Sequence, residues 1–532
     1  MRTSARLRTA VGAALVAAAL PAAAAAPARP PSLTNVIVQG PNAAAVVQGV
    51  IDSLGVGKVV ADLPLVNGVS ASLTSTELGL LGSLVVTPDS PVLTAMDAKG
   101  SPAPPPPAPV NVFRDVSGAT TVATAGNTGL GVGVAVVDTG VANLADFSHL
   151  QPGVDLSGEG NAWLDSYGHG TFVAGLVAGN GASSSGKYRG EAPGADIVPV
   201  KVAGKSGATT VSVLIQGLQW IYDHPGNIKV VNLSVGAVPR GPSALNPLNQ
   251  AVEAMWKASF VVVASAGNNG SARGTITSPG DDPLVITVGA LDDKHTTTRD
   301  DDTVATFSSN GPTASDGTWK PDLLASGKSV VSVTSTTSVV WNANRAARIG
   351  TRNFVGSGTS FSAAITSGAA ALLVVDNPTA SPDSIKAALL TTTNAGPGPP
   401  NDPTAHDPFS QGHGALDVAR AVDEPGISLV QDFVRPVPVL GSVLSLAATQ
   451  LTSTWPQITA DLLGNPVLPL NFPFPYGGVA TTSPYFESTA WNSTAWNSTA
   501  WNSRAWNSTA WNSRAWNSTA WNSTAWNSTA WN

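Results

Sequence analysis

The stretch Gly131-Val-Gly-Val-Ala-Val-Val137 is an almost unbroken apolar run that stops at Asp138, and runs of the same kind recur at 197–202, 230–233, 260–264 and 284–288. A strand with one wet face alternates apolar and polar residues. A run without alternation needs cover on both faces, as buried parallel strands do. Helical patterns separate the runs, notably Val211 to Tyr222 and Pro247 to Trp256, where Asn246 can cap and Pro247 suits the first turn. Strand and helix alternating in this way predict an α/β fold, a mostly parallel central sheet with helices on both faces. Functional residues in such sheets lie beyond the carboxyl ends of the strands, which is where Asp138 falls.

A second stretch, Gly356-Ser-Gly-Thr-Ser360-Phe-Ser-Ala-Ala, leads from a small-residue turn into an Ala-rich apolar helix pattern. Ser360 sits at the junction, where unpaired N–H groups and the helix dipole favour negative charge. Taken alone, it is no more than a helix cap. Two polar residues upstream change that reading: Asp138 in Val-Val-Asp138-Thr-Gly140 and His169 in Gly-His169-Gly-Thr-Phe-Val-Ala-Gly175, at the start of an apolar helix pattern. An imidazole can take the serine proton during attack and return it to the leaving group, while a buried carboxylate fixes its tautomer. The chain order Asp, His, Ser separates this set from chymotrypsin and from the α/β-hydrolases.

With these segments the sequence resembles the subtilisin-like serine peptidases of the subtilase superfamily over about residues 110–422. Val231-Asn-Leu-Ser-Val-Gly236, Ala266-Gly-Asn268, Phe307-Ser-Ser-Asn-Gly-Pro312 and Lys320-Pro-Asp-Leu-Leu-Ala325 extend the likeness in register. The resemblance implies a serine-type endopeptidase with Asp138, His169 and Ser360 as catalytic residues and the Asn268 amide in the oxyanion hole. It also implies that Ser234, Val235 and Gly236 bind the substrate backbone as an added strand. Ala266 and Gly267 would lie with Gly236 at the first specificity pocket, and small residues there imply room for a large apolar side chain. Three positions depart from the common family pattern. Phe172 stands where many members carry a second His; Phe361, Ser362 and Ala364 replace Met, Ala and Pro; and Ser326 replaces a Pro.

No cofactor is required by this reading. Calcium is common in the family, but Asp146 is one position off a usual ligand and the loop 180–187 lacks acidic oxygens, so a solvated surface aspartate is expected. Asp300-Asp-Asp302 reads as a charged loop, and His149, His224, His295, His406 and His413 form no metal-pair motif. With no cysteine, neither disulfides nor thiolate metal sites are available. A net charge of −7 with 11% charged residues offers no basic patch for nucleic acid.

The flanks suggest a processed, exported chain. Arg2, Arg6 and Arg8 precede an apolar run from Ala10 to Leu20 and a string of alanines, so residues 1–30 read as a secretory signal rather than a membrane span. No later stretch is expected to be long and apolar enough to cross a membrane. Residues 31–96 read as a small α+β unit of order βαββαβ, resembling the family's inhibitory prosegment. A Pro-rich linker, 97–110, follows, with self-cleavage expected between about Val92 and Pro109. The peptidase domain is assigned to 111–422. Residues 423–487 are Pro-rich and of unassigned fold, and 488–532 are nine copies of Ser-Thr/Arg-Ala-Trp-Asn. A period of five gives no single Trp stripe on a helix or a strand, which leaves an irregular or repeat-like tail suited to carbohydrate or cell-wall contact through stacking, or an inert one. The expected partners are therefore peptide substrates and the chain's own prosegment. A catalytically silent scaffold that displays the repeats is the alternative.

Overall fold

The computed structural model describes residues 32–94, 111–239, 241–394 and 407–423. The signal-like leader, the linker, the Pro-rich region and the Trp-Asn repeats lie outside those residues.

The first segment forms a four-stranded antiparallel sheet. Its elements are β1 (Thr34–Gln39), α1 (Ala43–Leu54), β2 (Lys58–Leu63), β3 (Gly68–Leu73), α2 (Ser75–Leu78) and β4 (Val85–Pro88), in the spatial order β2-β3-β1-β4. The chain order is the βαββαβ expected from sequence. Ala43, Val47 and Ile51, one face of α1 at i, i+4, i+8 spacing, pack with Val36, Val38, Val69 and Leu73 into a core of their own. One strand had not been anticipated: β5 (Pro91–Thr94) leaves this unit and pairs elsewhere.

The larger segment is built on an eight-stranded sheet. Its parallel centre comprises β6 (Gly133–Asp138), β7 (Asp196–Lys201), β9 (Ile228–Leu233), β11 (Val261–Ser265), β12 (Ile286–Asp292) and β13 (Leu323–Ser326); β8 (Ala208–Thr210) and β10 (Val235–Gly236) lie outside this sheet. Neighbours run β13-β12-β11-β9-β6-β7. Helices α3 (His169–Ala178), α4 (Val211–Asp223), α5 (Pro247–Lys257) and α6 (Thr359–Asp376) pack on it. Every residue of β6, β11, β12 and β13 is buried, as runs without alternation require. From β6 the chain steps to β7 on one side and then returns to β9 on the other, which opens a crevice at the carboxyl ends of β6 and β9.

Helix α6 corrects one expectation. At 18 residues it is long and apolar enough to cross a membrane, yet nearly all of it is buried against β9, β11 and β12 as the core helix of this protein.

Candidate active site

Asp138 closes β6 and His169 opens α3, and the two meet in the crevice. The imidazole Nδ1 lies 2.8 and 2.9 Å from the two Asp138 carboxylate oxygens, with both side chains fully buried. Nδ1–H therefore faces a carboxylate, which leaves Nε2 as the basic nitrogen. The Thr139 N–H donates to Asp138 Oδ1 at 2.7 Å and holds the carboxylate plane.

Asp165 went unnoticed in the sequence and organises the turn before His169. Its Oδ1 accepts from the Thr139 hydroxyl at 2.8 Å and the Gly168 N–H at 2.7 Å, and its Oδ2 from the Thr171 N–H at 2.8 Å and hydroxyl at 2.6 Å. One carboxylate thus ties the end of β6 to the first turn of α3. Burial pushes its pKa up although these four donors oppose the shift. The available signal was an acid shortly before a helix start, a capping pattern.

Ser360 is the second residue of α6, at its positive end. Its hydroxyl donates to Ser234 O at 3.2 Å, and the Ser234 hydroxyl donates back to Ser360 O at 2.9 Å. Ser234 follows β9 directly, so Ser360 is fastened to the carboxyl end of a central strand. Among the described residues, His169 Nε2 has no hydrogen-bond partner, so the hydrogen bond between Ser360 and His169 is not formed. The two helix starts are nonetheless neighbours, with the Phe361 ring 5.8 Å from the imidazole. Phe172 packs 4.4 Å from Phe361, centroid to centroid, so two of the departures from the family pattern form one aromatic pair behind the imidazole. Ser326, another departure, donates its hydroxyl to Asp293 Oδ2 at 2.6 Å.

Asn268 lies beside this turn. Its Oδ1 accepts from both the N–H and the hydroxyl of Thr359, each at 2.9 Å, which turns the amide NH₂ away from Thr359. Gly267, at φ +108°, donates its N–H to the Thr359 hydroxyl at 3.1 Å.

The segment expected to bind substrate backbone is paired with the chain itself. β5 pairs antiparallel with β10, Leu93 opposite Gly236 and Thr94 opposite Val235, and with β8 on its other edge. A Cβ at Gly236 would lie 2.8 Å from Thr277 Oγ1, and one at Gly267 would lie 2.9 Å from Thr277 Cγ2. The Thr277 side chain thus lies against both glycines.

Asp146 is also corrected. It is buried rather than solvated, because the loop 180–187 folds over it: Ser183 donates its N–H to Oδ1 at 3.0 Å and its hydroxyl to Oδ2. With both oxygens taken by serine donors, the residue does not suit calcium. Among the described residues no group of three or more His, Asp or Glu side chains could hold a metal ion. In the Asp300-Asp-Asp302 run, Asp300 and Asp301 are exposed while Asp302 is buried and paired with Arg299 at 2.8 Å.

Comparison with known proteins matches residues 129–414 to a family model described as the subtilase family. The chain is 43% identical over 275 residues to serine protease AprX of Bacillus subtilis, an alignment covering 50% of this chain and 62% of that protein. It is 32% identical over 300 residues to subtilisin DY of Bacillus licheniformis, covering 56% of this chain and 92% of that one. Among solved structures, fervidolysin from Fervidobacterium pennivorans, a keratinolytic enzyme related to subtilisin, superposes with a TM-score of 0.57 at 24% identity, covering 74% of this chain and 61% of that one. That likeness bears on the fold alone. The chain thus spans less than two thirds of the length of AprX and of fervidolysin.

Proposed function

The chain belongs to the subtilase family, whose model covers more than half its length, and from that premise we propose that it is a secreted serine endopeptidase made as a self-processed zymogen. The observation that carries the proposal is the buried Asp138–His169 pair set beside Ser360 at the start of α6. In the proposed cycle the Ser360 hydroxyl swings from Ser234 O to His169 Nε2, gives up its proton and attacks the peptide carbonyl. His169 then protonates the leaving amine, while Asp138 holds the ring and stabilises the imidazolium. The oxyanion is met by the Ser360 N–H and the Asn268 amide, fixed in advance because Thr359 holds Asn268 Oδ1.

Substrates are extended peptides that add a strand to β10, with Ser234, Val235 and Gly236 supplying the edge. β5 occupies that edge, which supports reading residues 31–96 as an inhibitory prosegment. The small unit also buries Ile37, Leu63, Val66 and Val92 in the main core, and Asp89 accepts from the Ser212 N–H and hydroxyl at 2.9 and 2.7 Å. Processing between about Val92 and Pro109 would free the edge. Export rests on the Arg-then-apolar leader.

The test is fluorophosphonate labelling of secreted protein beside a Ser360→Ala control, with N-terminal sequencing of the active form. Labelling of the parent alone, on a chain that begins after Val92, supports the proposal. A parent that fails to label, or an active form that begins before Asn35, contradicts it.

A further inference from the structure

We infer that Thr277 closes the first specificity slot, so that this chain cleaves after small residues such as alanine and rejects aromatic ones. The inference deepens the peptidase reading and rests on it. β5 shows how a chain approaches the site: antiparallel to β10, past Gly236 and then Val235, toward Ser234, whose carbonyl holds the Ser360 hydroxyl. A side chain that drops from such a strand next to the reacting carbonyl enters the space between Gly236 on one side and Ala266-Gly267 on the other.

The Thr277 side chain spans that space. A Cβ built on Gly236 would lie 2.8 Å from its Oγ1 and 3.1 Å from its Cβ, and one built on Gly267 would lie 2.9 Å from both its Cγ2 and its Oγ1. The same small group touches both walls on the side where side chains point, so little depth remains beyond it. Nor can the threonine readily move aside. Its N–H donates to Ala266 O at 3.0 Å and its hydroxyl to the same oxygen at 3.3 Å, which fixes the χ1 of a residue already stiff there. The next residue, Ser278, exchanges backbone hydrogen bonds of 3.0 and 2.8 Å with Ala237, just beyond β10. The plug is therefore fastened to both walls.

The stretch where self-cleavage is proposed, Val92 to Pro109, offers alanine, glycine and serine beside Val92, Leu93, Met96 and Lys99, and no aromatic residue.

The experiment uses the active protein secreted from cells expressing the whole chain and a pair of tetrapeptide anilides that differ only in the residue before the scissile bond, Ala or Phe, with fluorophosphonate labelling run alongside. The parent should favour Ala over Phe by at least about tenfold in kcat/KM, as one to a few excluded methylenes imply. Thr277→Gly should raise the Phe-to-Ala ratio by about 10- to 100-fold, and Thr277→Ser, which removes only Cγ2, should give an intermediate ratio and guards against a glycine variant that does not fold. A parent that labels but prefers Phe overturns the inference and leaves the peptidase reading intact. So does a Thr277→Gly or Thr277→Ser enzyme that labels with the ratio unchanged. A parent that neither labels nor cleaves either peptide removes both.

Discussion

Glu191 is wedged between the two helices that carry His169 and Ser360, and replacing it with glutamine should change how stability depends on pH. Its N–H donates to Leu176 O in α3 at 2.8 Å, and it presses so closely on α6 that a Cβ at Gly368 would lie 2.5 Å from its own. The side chain is fully buried, and neither carboxylate oxygen has a hydrogen-bond partner among the described residues. Burial pushes the pKa from 4.5 up to about 8; the nearby Ser117 hydroxyl, short of hydrogen-bond geometry, and the Arg114 guanidinium offset it only in part. The native protein thus keeps a proton that the unfolded chain releases above about 4.5. Stability from this group is complete below that pH and is lost as pH rises through about 8. Each pH unit between those values costs about 1.4 kcal/mol, which amounts to about 5 kcal/mol across the interval. Glu191→Gln has the same shape and cannot ionise. In a Ser360→Ala background, which prevents self-digestion, urea unfolding of the two proteins should coincide near pH 4. Above that, the glutamine form should become progressively more stable and level off past pH 8. Two curves separated by a constant offset would refute the reasoning, because a constant offset means that Glu191 releases no proton on unfolding.

Two further changes test the site and the docked unit. Asn268→Asp keeps an acceptor for the Thr359 N–H and hydroxyl but replaces the amide donor with a charge, so kcat should fall by at least about 10²–10³ with KM little changed; a variant affected in KM alone would place Asn268 outside the oxyanion hole. Asp89→Ala should weaken inhibition by the released residues 31–96 by about 0.5–2 kcal/mol, roughly two- to thirtyfold in the inhibition constant, and an unchanged constant would deny Asp89 a capping role.

Apolar runs without alternation located the buried strands, because burial on both faces imposes a pattern that any continuous stretch must carry. Asn246 and Pro247 marked the start of α5, and there the Leu248 N–H does donate to Asn246 Oδ1. Asp138 stood out because a charge at the end of such a run has few reasons to be there. What stayed hidden depends on partners distant in sequence. β5 is four residues long and begins with proline, so it carries no strand pattern of its own, and only pairing with β8 and β10 makes it a strand. Thr277 lies between motifs, and its meaning comes from two glycines, one 41 and the other 10 residues away. Asp146 reads as solvated because the loop 180–187 offers no acidic oxygens to share a cation with it; its cover comes from Ser183, 37 residues on.

The docked unit also bears on how so non-local a site assembles. Asp138, His169 and Ser360 come from β6, α3 and α6, and the sheet between them is knit by parallel pairings that are slow to find. Helix α4, which bridges β7 to β9 across the switch point, lacks a side-chain cap of its own: Thr210 makes no capping hydrogen bond. Its first two N–H groups are satisfied from the small unit instead, Val211 by Ser90 O at 3.1 Å and Ser212 by Asp89 Oδ1 at 2.9 Å. The same unit reaches α4 again through the Leu65 N–H to Gln219 Oε1 at 2.9 Å, and α5 through Gln39 to Gln250 at 2.6 Å. On the proposed reading, one set of contacts therefore does two things. It steadies the two helices flanking β9 while the sheet closes, and it delivers β5 to the edge that substrates need. Folding assistance and inhibition then share a surface, so a change that loosens the unit should slow the appearance of active enzyme even as it relieves inhibition.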